Sequence, residues 1–316
     1  YHQRDRGTIM AEQKKIDVVI PAYKPGEKFQ KLIKMLQKQT YPIHEILIMN
    51  TEKAYFPEAS VAGLPNVRVE HLTRAEFDHG GTRDKAAGLL SGDFFLFMTQ
   101  DAVPADTYLV EKLAGAFDDE KVDAAYARQL PNPDCSVIER YTRSFNYPDA
   151  PSVKTKKDLP KYGIKTFFCS NVCAMYRAET YWRLGGFEKK TIFNEDMIFA
   201  GKIILNGGGI AHVPEARVIH SHNYGNIEQL RRNFDLAVSQ AEHPEIFTMA
   251  SSESEGMKLV KQTTRYLIKS GHPWLIPELV IKSGFKFIGY RLGKAYQKLP
   301  RGLVKRLSMN KSYWEK

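Results

Sequence analysis

Asp101, the adjacent pair Glu195-Asp196, the pair His220 and His222, and Arg83 are the residues in this 316-residue chain whose types and spacing could do chemistry. Asp101 closes the run Phe94-Phe95-Leu96-Phe97-Met98-Thr99-Gln100-Asp101, with Ala102-Val103-Pro104 behind it. The apolar stretch 94–98 has the length and composition of a buried strand. Ligands of open α/β sheets sit beyond the carboxyl ends of the strands. A carboxylate there is placed to hold a divalent cation and, through it, a phosphate. The same residue could instead cap the helix expected to start near Pro104, because Asp is a preferred cap. Glu195-Asp196 opens a helix, where two acids complement the helix dipole whatever else they do. His220 and His222 stand two apart, which on a strand puts both on one face. Imidazoles there are acceptable ligands for a divalent cation, or a structural hydrogen-bonded pair. Arg83 follows Gly80-Gly81-Thr82. Its planar fork suits phosphate, the glycines permit close approach of backbone to a ligand, and the plain alternative is a surface residue at a helix start.

These residues need elements to position them. Residues 16–23 (Ile-Asp-Val-Val-Ile-Pro-Ala-Tyr) read as a first buried strand, followed by a helix with Phe29, Leu32, Ile33 and Leu36 at helical spacing. Residues 45–49 form a second strand, ending at Asn50-Thr51-Glu52, and 67–72 a third. The polar segment 76–84 leads into a helix of small residues over 85–90, and the strand before Asp101 comes next. Strands alternating with helices argue a parallel, doubly wound sheet. A helix over 106–117 and a strand over 122–127 follow, the latter running into Arg128-Gln129-Leu130-Pro131. Residues 132–165 are rich in Pro, Lys and Tyr and read as a long, partly mobile excursion over the site. A strand resumes over 166–171, then helices over 178–184 and 193–205, short strands over 210–213 and 216–219, and helix from Ile227 onward.

Bulk properties narrow the class. A hydrophobic share of 43% is ordinary for a globular protein. Three cysteines with no metal spacing suit a reducing cytoplasm. No run of about 18 apolar residues marks a spanning helix, and no signal peptide is expected. Residues 1–9 lack pattern, precede Met10 and are expected to be a remnant foreign to the fold. No G-x-G-x-x-G follows the first strand and no Walker A pattern is present, which argues against a dinucleotide dehydrogenase and a P-loop nucleotidase. The net charge of +10 is uneven: from Lys282 onward there are ten Lys/Arg and one acid, so the rest is near neutral.

The order of strand–Pro21, strand–Asn50-Thr51-Glu52, Gly81-Thr82-Arg83, strand–Gln100-Asp101-Ala102, Glu195-Asp196 and His220-Ser221-His222 resembles an inverting family-2 glycosyltransferase of the GT-A fold. Residues 77–83, Arg128-Gln129-Leu130-Pro131, Phe145-Asn146-Tyr147-Pro148 and His220-Ser221-His222 are similar to the bacterial rhamnosyltransferases that build cell-wall, capsule or O-antigen polysaccharide. The resemblance covers roughly residues 16–235. It implies a Rossmann-like, mostly parallel central sheet with flanking helices over 10–240, with a nucleotide-binding half at about 15–103 and an acceptor half at about 104–240. Residues 241–316 would form a helical, basic extension.

The resemblance also implies roles. A nucleotide-diphosphate sugar donor, dTDP-rhamnose or alternatively a UDP-sugar, would lie over the ends of the first, second and fourth strands. Pro21, Ala22 and Tyr23 would line it, Thr51 and Glu52 would bond base or ribose, Asp78 and Arg83 would flank base and diphosphate, and Gln100 and Asp101 would contact the nucleotide-sugar as well. Where relatives carry Asp-x-Asp, this chain has Gln100-Asp101-Ala102. One carboxylate, diphosphate oxygens and waters would hold Mg²⁺ or Mn²⁺ with modest affinity. His220 or His222 is the further metal ligand of some relatives. Inverting transfer needs a general base for the acceptor hydroxyl, and the resemblance assigns Asp196, supported by Glu195. Arg128 and Gln129 would face sugar or acceptor. A non-catalytic nucleotide-sugar-binding subunit of a synthase complex is the alternative.

In the tail, Phe285, Phe287, Ile288, Leu292, Tyr296 and Leu299 alternate with Lys286, Arg291, Lys294, Lys298 and Arg301. That pattern suits an anionic membrane surface, or a solvated face packed on the body. With a lipid-linked glycan acceptor, the expected place is the cytoplasmic side, peripheral at the inner face of the cell membrane. Charge alone would admit nucleic acid, but no nucleic-acid motif accompanies it.

Overall fold

The computed structural model describes residues 13–249 and 252–315; the N-terminal segment expected to be foreign to the fold lies outside them. The first unit runs β1 (Ile16–Tyr23), α1 (Glu27–Leu36), β2 (Glu45–Thr51), β3 (Val67–Leu72), α2 (His79–Ala87), β4 (Phe94–Met98) and β5 (Val103–Pro104). The second runs α3 (Leu109–Gly115), β6 (Val122–Leu130), α4 (Val137–Asn146), β7 (Ser152–Lys154), α5 (Leu159–Tyr162), β8 (Cys173–Arg177), α6 (Ala178–Arg183), α7 (Glu195–Leu205) and β9 (Gly209–Ile219). Helices α8 (Asn226–Glu242), α9 (Pro244–Phe247), α10 (Ser252–Lys269), α11 (Ile276–Lys294) and α12 (Arg301–Leu307) follow.

The strands form one sheet in the order β3-β2-β1-β4-β8-β6-β9-β5, with β7 added beside β9. Its first half, β3-β2-β1-β4, is parallel; β8 runs antiparallel between β4 and β6, and β6 is parallel to β9. Both faces are covered, so the central strands are apolar throughout. Ile16, Val18, Ile20, Phe94, Leu96 and Met98 pack against α1 and α3. Val19, Phe95 and Phe97 pack the other way, against α2, α6 and α7. Because the parallel strands end together, their loops gather at one edge, where the crevice lies.

Four local expectations are corrected. Helix α2 starts at His79, not at Lys85, because Asp78 caps it: its Oδ1 accepts from the N–H of Gly80 (3.0 Å) and Gly81 (2.9 Å). Capping of this kind offsets the poor helix propensity of two glycines. Residues 132–165 are an ordered insertion carrying α4, β7 and α5, with Ser136 capping α4 through the Glu139 N–H at 3.2 Å. Residues 166–171 are not a strand; the strand is β8. The short strands at 210–213 and 216–219 are one, β9, with a register irregularity opposite Ala127/Arg128.

Helix α11 lies directly on α8. A Cβ added at Gly289 would strike the Leu230 carbonyl, and one at Gly293 the Phe234 carbonyl. Small residues four apart thus let the two backbones meet, so α11 runs parallel to α8 in step with it.

Candidate active site

Three segments converge where the strands end. The turn after β4 delivers Asp101, the end of β6 delivers Gln129, and the chain leaving β9 delivers His220 and His222. The histidines sit beyond the strand rather than on one face of it, so a bend, not strand alternation, brings both inward. Asn132 fixes that bend: its N–H donates to Ser221 Oγ and its Nδ2 to the Ser221 carbonyl, both at 2.9 Å. Asp101 Oδ1 then lies 3.5 Å from His220 Nε2, Asp101 Oδ2 lies 3.3 Å from His222 Nε2, and the two Nε2 atoms are 3.1 Å apart.

These donors fit a divalent cation. All three ligand atoms lie within 4.8 Å of one another. Metal–ligand bonds near 2.1 Å set neighbouring ligand atoms about 3 Å apart. His220 Nδ1 is 2.9 Å from Gln129 Oε1, which can only accept, so the Nδ1 carries the proton and Nε2 is free to ligate. Burial holds the His220 imidazole far below its usual range, keeping it neutral. Two imidazoles and one carboxylate suit Mn²⁺ better than Mg²⁺, which prefers oxygen donors.

Gln129 is itself held. Its Nε2 donates to Tyr147 Oη (2.5 Å) and Ser170 Oγ (3.2 Å), and its Oε1 also accepts from Arg143. Both ends of its amide are thus engaged, and it fixes the orientation of the His220 ring. Replacing it with leucine should weaken Mn²⁺ binding about 10–100-fold, whereas Gln129→Glu, which still accepts from His220, should retain most of it. Titration calorimetry of the metal decides, and equal affinity for wild type and Gln129→Leu would count against the orienting role.

The acid pair lies on the other side of residues 165–171. Buried Lys154 holds that segment by donating to the carbonyls of Lys165 (2.8 Å) and Phe168 (2.7 Å), and burial lowers its amine to about 7. Ser170 contacts Gln129 on the ligand side. Its neighbour Asn171 serves the acids: its N–H donates to Asp196 Oδ2 at 2.9 Å and its Nδ2 to Glu195 Oε1 at 3.1 Å. Asp196 Oδ1 accepts from the Met197 N–H at 2.8 Å. Burial, then the adjacent Glu195 carboxylate, pushes Asp196 up to about 7, against those backbone donors. Glu195 is buried and paired with buried Arg83 at 3.3 Å. Arg83 thus faces the acid pair, and its Nη1 also donates to the His79 carbonyl at 2.8 Å. Asn194, the residue before α7, is in a left-handed conformation (φ 62°).

At the ends of β1 and β2 lie the residues expected to hold a nucleotide. Gln100 bridges both backbone groups of Tyr23, accepting from its N–H (2.9 Å) and donating to its carbonyl (3.0 Å). It clips the end of β1 to the turn carrying Asp101. Pro21 and Ala22 precede that clip, and Ala22 is buried. Tyr23 is exposed, edge-on to Tyr55 at 6.1 Å. Lys24 Nζ stands 4.6 Å from the Tyr55 ring and Arg74 5.7 Å from the Tyr23 ring. Thr51 is buried, and Glu52 Oε1 accepts from the Arg74 N–H at 2.7 Å. Asp78, capping α2, also lines a cavity of about 380 Å³ with Met49, Leu72, Lys85 and Lys189. Lys24, Glu52 and Asn194 are the non-glycine residues of positive φ among those described; the first two follow the ends of β1 and β2, and the third precedes α7. Arg128 lies in β6 beside Gln129, half-buried.

Sequence reasoning missed three groups. Asn171 was visible as a polar residue but lay in what read as a strand. Arg143 lay in what read as a mobile excursion. Arg232, on the first turns of α8, stacks over Phe193 (4.7 Å) and Tyr224 (5.6 Å). Tyr224 in turn stacks on His222 at 5.0 Å. Its position in a helix read for apolar spacing gave no signal.

Comparison with known proteins accords with this geometry. The chain is 36% identical over 302 residues to the O-antigen chain rhamnosyltransferase RfbN of Salmonella typhimurium, covering 95% of this chain and 96% of the relative. It is 36% identical over 300 residues to WbaN of Salmonella anatum, also an O-antigen chain rhamnosyltransferase, covering 94% and 95%. Among solved structures, the Pyrobaculum calidifontis mannosyltransferase PcManGT, in complex with GDP-Man and Mn²⁺, aligns with a TM-score of 0.56 at 14% identity, covering 96% of this chain and 85% of that one. S. aureus TarS 1–349 with UDP-GlcNAc aligns at 0.53 and 15%, covering 90% and 91%. At those identities the structures speak for the fold alone. The model of Glycosyl transferase family 2 matches residues 17–185, and the chain belongs to that family as a glycosyltransferase of the GT-A fold.

Proposed function

We propose that this glycosyltransferase transfers rhamnose from dTDP-rhamnose, with inversion, to a lipid-linked polysaccharide acceptor. The observation that carries the reaction type is the link between the two chemical centres. The cluster Asp101-His220-His222 and the carboxylate of Asp196 are tied through consecutive residues, Ser170 and Asn171. The choice of sugar is supported by the two Salmonella relatives.

In this reading the acceptor hydroxyl oxygen attacks the anomeric carbon as Asp196 takes the hydroxyl proton. The bond from that carbon to the phosphate oxygen breaks, and the diphosphate leaves with the electron pair. Asn171 and the Met197 N–H hold Asp196 in place, while Arg83 balances Glu195 so that the pair does not carry two unshared charges. Asp101, His220 and His222 would hold Mn²⁺, or more weakly Mg²⁺; when bound, the ion supplies Lewis-acid neutralisation of the departing diphosphate. Arg232 and Arg143 add fixed positive charge beside it. Tyr23, with Thr51 and Glu52, receives the base and ribose.

We assign catalysis to residues 10–240, and to 241–316 the role of a helical extension that keeps the enzyme at the inner face of the cell membrane, in the cytoplasm. No described helix is long and apolar enough to cross a membrane, so this attachment would be peripheral. The test is turnover of a donor panel, dTDP-rhamnose, UDP-glucose, UDP-N-acetylglucosamine and GDP-mannose, with Mn²⁺ and a lipid-linked acceptor. Rhamnosyl transfer at least about tenfold faster than any other is expected. Preference for a UDP- or GDP-sugar would overturn the rhamnose assignment.

A further inference from the structure

The tail residues that alternate in sequence part company in space. Leu292, Tyr296 and Leu299 turn inward and pack with Ile192, Phe234, Val238 and Val304. They belong to the body, not to a membrane face. Another stripe takes their place. Trp274 is 68% exposed, and Val280, Ile281, Phe287 and Ile288 are 50–59% exposed. The pair Val280-Ile281 recurs seven positions on as Phe287-Ile288, and Trp274 stands seven before Ile281, so these residues share one side of α11 and the turn leading into it. That side is opposite Leu279, Gly289 and Gly293, which are buried. Ile268, at the end of α10, adds a further exposed apolar group, 58% exposed.

Cations follow the apolar residues: Arg291 and Lys294 in the last turn of α11, Lys298 in the turn beyond it and Arg301 at the start of α12. The single acid of α11, Glu278, is already paired with Lys282 at 2.6 Å. Since Gly289 meets Leu230 and Gly293 meets Phe234, the apolar stripe extends past the start of α8. There Leu279 packs with Ile138 of α4 and Leu267 of α10. Helix α4 also carries Arg143, the partner of Gln129, so α11 is joined through α4 to residues that brace the site.

We propose that this stripe is the surface through which the enzyme seats on an anionic bilayer, with Trp274, Val280, Ile281, Phe287 and Ile288 entering the headgroup–acyl boundary and the cations behind them meeting anionic headgroups. Charge complementarity selects that occupant. A second copy packed on the same patch would bring two sets of the exposed Lys294 and Lys298 together, which like-charge repulsion opposes. The surface deepens the reading of a lipid-linked acceptor: it brings the crevice to the bilayer where such an acceptor is anchored.

The test uses the full chain and vesicles of phosphatidylglycerol and phosphatidylethanolamine, against vesicles of phosphatidylcholine. Flotation and a blue shift of tryptophan emission, the latter lost in Trp274→Phe, should appear with the anionic vesicles alone. The double variant Phe287→Glu/Ile288→Glu, which alters exposed groups, should lower partition at least about tenfold. Its transfer to a water-soluble acceptor fragment should match wild type. Equal partition of variant and wild type, binding to neither vesicle, or a concentration-dependent dimer that buries Trp274 would overturn the proposal. Failure of rhamnosyl transfer with intact vesicle binding would instead count against the donor assignment alone.

Discussion

Asp196→Asn is expected to lower kcat about 10²–10⁴-fold, the range that general-base removal costs, while nucleotide binding stays near wild type. Asparagine keeps the shape of the side chain and can still accept the Asn171 N–H. What it cannot do is take the acceptor proton. The pH dependence follows with a definite sign. Burial and Glu195 raise Asp196 to about 7, so wild-type kcat/KM should fall as pH drops through neutrality, rather than near 4 where a free carboxylate titrates. The same shift has a cost for folding. An acid whose folded pKa is raised favours the protonated form, so its ionisation opposes stability increasingly from about pH 4 up to about 7 and fully above that. Asp196→Asn removes that cost, and its Tm at pH 8 should equal or exceed wild type. Thermal unfolding with pH-rate profiles of both proteins checks this. A variant that loses activity only because it is unfolded, or a wild-type profile flat from pH 5 to 8, would contradict the base assignment.

The second large effect is expected at the ligand cluster. Asp101→Asn and His220→Ala should each reduce Mn²⁺ affinity by at least about 100-fold, more than the outer-shell change at Gln129. Donor turnover should fall in parallel. Asp101 is the charged member, and the diphosphate would otherwise face only neutral imidazoles and the arginines. Mn²⁺ should support more activity than Mg²⁺ at equal concentration, because two of the three donors are nitrogen. Metal titration of the three proteins, read by Mn²⁺ paramagnetic resonance without substrate, separates binding from catalysis. Unchanged affinity in Asp101→Asn would remove the cluster from the mechanism.

Much of this was legible because it rested on strong periodicity. The buried strands at 16–23, 45–51 and 94–98 have continuous apolar runs, and Phe29, Leu32, Ile33 and Leu36 mark one helix face. Asp101 stood out because its strand stops so abruptly. The losses came where tertiary contacts override local signal. Gly80 and Gly81 argue against a helix until the Asp78 cap is seen. Residues 132–165 looked loose because α4 is amphipathic against a partner, α10, more than a hundred residues away. Gln129 and Gln100 each read as ligand contacts, since a glutamine beside a site looks the same whether it touches substrate or braces a neighbour. Which it does depends on Tyr147, Ser170 and His220 in one case and on the Tyr23 backbone in the other. The pairing of Arg83 with Glu195 was not legible because the two lie 112 positions apart in the chain. The tail illustrates the same limit: composition gave a basic amphipathic segment, but only packing on α8 shows which apolar residues remain outside.

The measurement that bears most directly on a metal-assisted transfer with separate diphosphate and base centres is calorimetric binding of dTDP, with Mn²⁺ and with chelator, to wild type, Asp101→Asn and Asp196→Asn. Metal-enhanced binding in wild type and Asp196→Asn, and metal-indifferent, weak binding in Asp101→Asn, is the expected result. Binding of dTDP that ignores both the metal and the Asp101 substitution would contradict it.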